Sequence, residues 1–585
     1  MPDFAAHVDA FFAELFALDP LRATEAGMHD HDGRWPDVTE TGRQERLAFV
    51  DRWLVELDRL DEEALERDER IDLDVIRLEL ESMRFGDMEL REDRWDPLEW
   101  VYLLGGGLFP LLAREFAPLA TRLASSAARL EGIPAVLDGA REALAGDAAR
   151  PVSRLHTETA LKQLPGIVEL ADDAVRASDE SASDPDVAAI ADRVRSAAAT
   201  AKESLSSFEA HLRDTVLPAS EGEGRLGAEM FARKMRHTMR SEELTPERIL
   251  AAAEREFDAV RGEMVRLARE SWATWCGDRP MPDDEGALVR AVLDEIARQH
   301  PPADELLDFC RAELGRIEAF CRERNVIGLA DEPLDIRWTP VFMRSFGGAM
   351  LDAPGPLDKG QKSFFSITPI PEEWSPDEAE SYLREMNARQ LRVLTIHEAV
   401  PGHYLQGVYA NRSSSLARSV LWSGLFAEGW AVYVTQVMLD LGYGADDPGL
   451  LLTHWKYYLR AATNAIIDAR IHTAGMTEDE AVRLMVDGAF QEEAEARTKY
   501  NRARLTSTQL STYFVGSLEF HTIEREVRRR AAAASGDPRG AAAVPEPRVV
   551  GGLGETPGFD YRPHLEACIS HGSPPTSLLR RILLD

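Results

Sequence analysis

The chain has 585 residues, with 102 Asp and Glu against 67 Lys and Arg, for a formal net charge of −35. So acidic a surface repels phosphate backbones and anionic bilayers, which argues against nucleic acid or a membrane as partner. At 44% hydrophobic and 29% charged residues, the composition is that of a globular chain able to bury a large core or two lobes with a cleft between them.

The N-terminal Met-Pro-Asp-Phe-Ala-Ala-His carries no basic region, and Glu14 interrupts the apolar residues Phe11 to Leu18, leaving one face of a helix. No run of about 18 apolar residues follows, so neither a signal peptide nor a membrane span is expected. Four scattered cysteines (Cys276, Cys310, Cys321, Cys568) read as reduced structural thiols. These features predict a cytoplasmic protein beginning near residue 1.

Helix signals dominate the first half. Apolar residues recur at helical spacing over 39–83, 110–145, 155–215 and 245–325. Pro134 reads as a helix opening, and Gly105 to Pro110 as a loop or helix break. Thr245-Pro246 is a helix start, and Thr477 with Glu480 forms a capping box. The lobe boundary is set near residue 330, giving a helical N-terminal lobe (1–330) that covers the cleft and a catalytic lobe (331–585).

Strand signals are confined to 334–343 and 363–368, where β-branched and aromatic residues alternate. Gly347-Gly348 and 353–360 form the loop between them. This small sheet is either a structural hairpin or an edge for an extended peptide beside the site. Residues 531–558 read as an insertion before the last helix.

The densest chemistry lies at 395–406, Thr-Ile-His-Glu-Ala-Val-Pro-Gly-His-Tyr-Leu-Gln. Two imidazoles and a carboxylate are the parts of a hydrolytic zinc site. The usual spacing between the histidines is four, whereas His397 and His403 are six apart. On a regular helix they would point about 120° apart. Pro401 and Gly402 break the helix, so the chain could loop out and return His403 to the metal. The alternative is an ordinary helix end with two surface histidines.

Glu428 follows 25 residues after His403, in an otherwise apolar stretch. A carboxylate there is a third-ligand candidate, or else a partly exposed residue at a helix start. Arg460, Asn464, Asp468 and His472 then recur every four residues as one polar stripe. The stripe could orient a metal ligand, donate to an oxyanion, or be a solvated face.

The chain resembles the bacterial family known as domain of unknown function 885, placed with the gluzincin-type metallopeptidases. The resemblance rests on 397–406, Glu-Gly-Trp-Ala-Val-Tyr (428–433), the Arg460/Asp468/His472 helix, Thr508 to Gly516, Ala23 to His29 with Asp37, and His571 onward. It implies a mainly α, two-lobed metallopeptidase-like fold with a small sheet next to the cleft. It further implies one Zn2+ held by His397, His403 and Glu428, with Glu398 as general base. The chain departs from the pattern at Ser507-Thr508, where members often carry Pro-Gly, and at Thr435, where many carry a glutamate.

Three protein ligands leave zinc one position for water, and Glu398 would take its proton and pass it to the leaving amine. Tyr513 and His472 are the candidate oxyanion donors, with Tyr500 behind them. Arg502 and Arg504 could clamp a terminal carboxylate or simply face solvent. The expected activity is hydrolysis of short peptides. A non-peptidase zinc amidohydrolase acting on a small amide, or a catalytically inactive binding protein, are the alternatives. Nothing in the sequence sets an oligomeric state.

Overall fold

A computed structural model describes residues 4–144, 146, 150–340, 344, 348–372, 374–535, 556 and 558–585. The described residues are mainly helical with one small sheet. They fall into two compact units. One comprises 1–225 with 340–346 and 354–361, and the other 226–339, 347–353 and 362–585. The helices Pro246–Cys276, Glu285–Ala297 and Leu306–Arg324, assigned from sequence to the first lobe, therefore pack in the unit that holds the histidines. The apolar faces of the first two share one core with the Pro448–Thr473 helix through Val260, Val292, Tyr458 and Ala462, while the third packs elsewhere in the unit through Ile317 and Cys310.

In the first unit two expectations are corrected. Gly105 to Pro110 is no break, because it lies within the helix Pro97–Ala113. The glycine is needed there for packing: a Cβ on Gly107 would lie 2.3 Å from the Trp35 ring, and one on Gly132 2.6 Å from it. Trp35 thus wedges between two helices and donates its indole N–H to the Arg129 carbonyl at 2.8 Å. Pro134 likewise opens no helix but sits inside Leu119–Ala143. The segment 354–361 belongs to this unit. Leu357 donates its amide to the Ala26 carbonyl, and His29 bridges Asp32 and Asp358 at 3.0 and 3.1 Å.

The second unit carries the sheet, β1 (Leu334–Trp338), β2 (Ala349–Asp352) and β3 (Ser363–Ile367), ordered β1-β3-β2. β1 pairs parallel and β2 antiparallel to β3. Three strands replace the expected two. β2 lies in the stretch between the two predicted strands; it is only four residues long, and no face of it is fully buried. Residues 341–343 of the predicted first strand, Gly347 and most of 531–558 lie outside the described residues. The expected starts are seen: Thr245 caps with Pro246 at the first position, and Thr477 and Glu480 form the capping box. All four cysteines are buried and free.

Candidate metal centre

The Ala388–Glu398 helix, capped by Asn387, ends at the His-Glu pair, and a second helix begins at His403 and runs to Asn411. Proline and glycine between them give the bend that the sequence suggested. The Gly402 amide returns to the Ile396 carbonyl at 3.0 Å, and Leu405 to Ala399 at 3.3 Å. The Trp430 indole donates to the Pro401 carbonyl at 2.9 Å and pins the bend to the helix Gly424–Asp440. That helix supplies Glu428. His397, His403 and Glu428 can each offer a ligand atom so that the three lie within 4.8 Å of one another, the one such group among the described residues. The imidazoles stand edge to face at 4.7 Å, and His403 Nε2 is 3.6 Å from the Glu428 carboxylate.

Burial is graded across the group. His397 and Glu398 are 3% and 7% exposed, while the side chains of His403 and Glu428 keep 16% and 23%. A ligand set open on one side suits a position exchangeable with solvent. Burial, and next the neighbouring His403, hold the His397 imidazole well below its usual range, so the ring is neutral, as a ligand must be. Its Nδ1 is shielded from solvent without a well-formed hydrogen bond. Burial would lower His403 too, but the Glu428 and Glu398 carboxylates outweigh it and raise it. Burial pushes Glu398 up to about 7, opposed by His403 and by a backbone hydrogen bond from Leu351. Donor types, convergence and partial exposure all fit a divalent cation of the zinc type.

β2 bears directly on this centre. The Thr368 amide bonds the Gly348 carbonyl at 2.9 Å. With Leu351 opposite Phe365, this turns the backbone groups of Ala349 and Leu351 away from β3. The Leu351 amide can therefore meet Glu398, and β2 is an edge strand.

The helix Thr512–Ala534 supplies Tyr513 by crossing the Glu428 helix at two glycines. A Cβ on Gly429 would lie 2.3 Å from the Gly516 backbone, and one on Gly516 2.2 Å from the Leu425 carbonyl. Tyr513 accepts from Arg502 Nη2 and Gln509 Nε2, both at 3.3 Å. With its oxygen so occupied, its own hydrogen is turned to a further partner. Burial, and next the Glu428 charge, hold this phenol protonated. Tyr457 was not foreseen. Its ring lies 5.5 Å from His397, edge to face, and burial followed by Glu398 holds its hydroxyl well above the usual range. One signal could have found it, since it lies three residues before Arg460 and extends the polar stripe by a turn.

That stripe does not act as one unit. Arg460 pairs with Glu495 at 2.9 Å and Glu385 at 3.7 Å, and its charge reaches His397. His472 is corrected as an oxyanion donor, because both nitrogens are engaged elsewhere. Nδ1 accepts the Leu226 amide, Nε2 donates to the Ala503 carbonyl, and the ring stacks on Phe231 at 4.8 Å. Asp468 is corrected as a support for a metal ligand. It accepts from the amides of Thr508 and Ser511 and from the Ser511 hydroxyl at 3.0, 3.2 and 2.7 Å. It thereby holds the turn before Tyr513, in which Thr508 adopts φ +70°. Tyr500 is buried in the core with Ile467 and Leu510, and Arg504 lies over its ring at 4.6 Å. Neither is brought to the three-ligand group by any contact described.

Burial pushes Asp468 up to about 6 from its ordinary 3.8, against the pull of its Ser511 and Thr508 hydrogen bonds. The folded chain thus takes a proton that the unfolded chain releases. Its stabilisation is complete below pH 3.8 and is lost as pH rises through about 6. Lowering the pH from about 7 to about 5 should raise the thermal midpoint of the wild type relative to Asp468→Asn. A pH-independent difference between the two melting curves would refute this.

A family profile described as "Bacterial protein of unknown function (DUF885)" matches residues 20–583. No curated protein matches the chain. Among solved structures, a candidate lipoprotein of unknown function from Shewanella oneidensis is 31% identical, with all of both chains covered and a TM-score of 0.80. Another candidate lipoprotein, from Colwellia psychrerythraea, is 17% identical over 97% of this chain and 96% of its own, with a TM-score of 0.76. The second likeness concerns the fold alone.

Proposed function

This chain belongs to the DUF885 family of bacterial proteins of unknown function, and from that premise and the geometry above we propose that it is a zinc-dependent peptidase acting on short peptides. The observation that carries the reading is the convergence of His397, His403 and Glu428 within 4.8 Å beside the buried carboxyl group of Glu398. A divalent ion held there supplies Lewis acidity, making water acidic enough to deprotonate near neutral pH and polarising a carbonyl. Glu398 accepts the proton from the attacking water and delivers it to the leaving amine. Tyr457, held protonated, donates to the oxygen on which negative charge develops. The outward backbone groups of β2 align an extended peptide by strand addition.

Metal analysis tests the reading. The purified wild type is expected to hold one equivalent of zinc and to release amino acids or short fragments from a peptide mixture. His403→Ala is expected to lose at least about tenfold in metal affinity. A wild type that takes up no metal at micromolar zinc would overturn the proposal.

A further inference from the structure

Around the candidate centre, basic side chains are answered by acids. Arg460 pairs with Glu495 and Glu385, Lys456 with Glu385 at 2.9 Å, and Lys499 with Glu495 at 3.1 Å. Arg502 differs. Its contacts among the described residues are neutral, the Gln509 Oε1 at 3.1 Å and the Tyr513 hydroxyl at 3.3 Å, both from Nη2. In a chain with 102 acidic residues against 67 basic ones, this half-buried arginine beside the candidate centre meets no carboxylate among the described residues. Both its contacts also orient it. Gln509 spans Arg502 and Tyr513, accepting from the first and donating to the second. Arg502 is thereby held with Nε and Nη1 uncommitted, next to a phenol whose hydrogen is free to donate.

From this arrangement we infer that Arg502, together with the Tyr513 hydroxyl, binds the free C-terminal carboxylate of the substrate, which makes the protein an exopeptidase that trims short peptides from the C-terminal end. The inference rests on the peptidase reading for its reaction and on Arg502 for its specificity. An N–H of Nη1 and the Tyr513 O–H can each donate to one carboxylate oxygen, and the guanidinium charge favours that anion over an uncharged amide. Tyr513 is also close enough to Glu428 to feel its charge. On this inference the bound carboxylate lies within about two residues of the bond to be cut. Water adds to the carbonyl carbon of that bond, the C–N bond breaks, the leaving amine takes the proton, and a free amino acid or dipeptide departs. Arg504 takes no part, since it covers the Tyr500 ring and donates to Asn501 at 2.6 Å.

The test is calorimetric binding of a tripeptide, as free acid and as C-terminal amide, to zinc-loaded full-length Glu398→Gln protein, which does not turn it over. The acid is expected to bind at least about tenfold more tightly than the amide. Adding Arg502→Met should reduce that ratio below about twofold, and Arg502→Lys should recover part of it. Circular dichroism establishes that each variant is folded. Equal binding of acid and amide, no binding of the acid at millimolar concentration, or a preference that survives Arg502→Met overturns the inference. The peptidase reading fails separately: a carboxylate preference with no hydrolysis by the active chain removes that reading and leaves carboxylate recognition in place. Hydrolysis of acids and amides at equal rates does the reverse.

Discussion

Replacing Glu398 by Gln is expected to lower kcat/KM for peptide hydrolysis by about a thousandfold or more, with zinc content unchanged. The separation follows from the site. Glu398 lies beside the three-ligand group but is not one of its members. Its replacement has the same shape, can still accept from the Leu351 amide, and carries no charge into a setting that already disfavours one. Fold and metal affinity should therefore survive while proton transfer is lost. The paired readout is metal content beside rates on a peptide mixture. A variant that keeps a tenth of the wild-type rate would show that the base is another group.

Gly402→Ala is expected to abolish metal binding and to destabilise the second unit by on the order of 3 kcal/mol. A Cβ at this position would meet the His397 carbonyl oxygen at 1.9 Å and that of Ile396 at 2.4 Å. Both are backbone atoms at the end of a buried helix, so neither can swing aside. To relieve the overlap, the chain must open the bend that returns His403 to His397. Gly407, in the helix that follows, is the control. Its Cβ would find only the Ala353 side chain at 3.7 Å, so Gly407→Ala should be neutral or slightly stabilising. The checks are thermal midpoints and zinc titration of both variants. Equal behaviour of the two alanines would remove the bend from the argument.

The acidic, largely helical character of the chain was legible because composition and apolar periodicity are local properties. The convergence of His397, His403 and Glu428 was legible for a chemical reason: His-Glu followed by Pro-Gly-His leaves few backbone paths, and an acid at 428 stands out in a sequence of apolar residues. Capping residues at 245 and 477 likewise carry their structural meaning within three or four positions.

Where the reading departed, the deciding contact was remote in sequence. Gly107 looked like a helix breaker until Trp35, 72 positions earlier, was seen to need the space. Asp468 and His472 looked like parts of a reactive stripe. Periodicity tells which residues share a helix face, yet that face meets Ser511 at one turn and Phe231 at the next. Tyr457 meets His397, and Arg502 meets Gln509 and Tyr513 rather than an acid among the described residues, through packing that sequence spacing does not reveal. Sequence by itself determined which groups are available for chemistry and which local bends can present them. Tertiary structure alone decided which of those groups face one another, because side-chain partnership depends on distance in space, and only the folded core sets that distance.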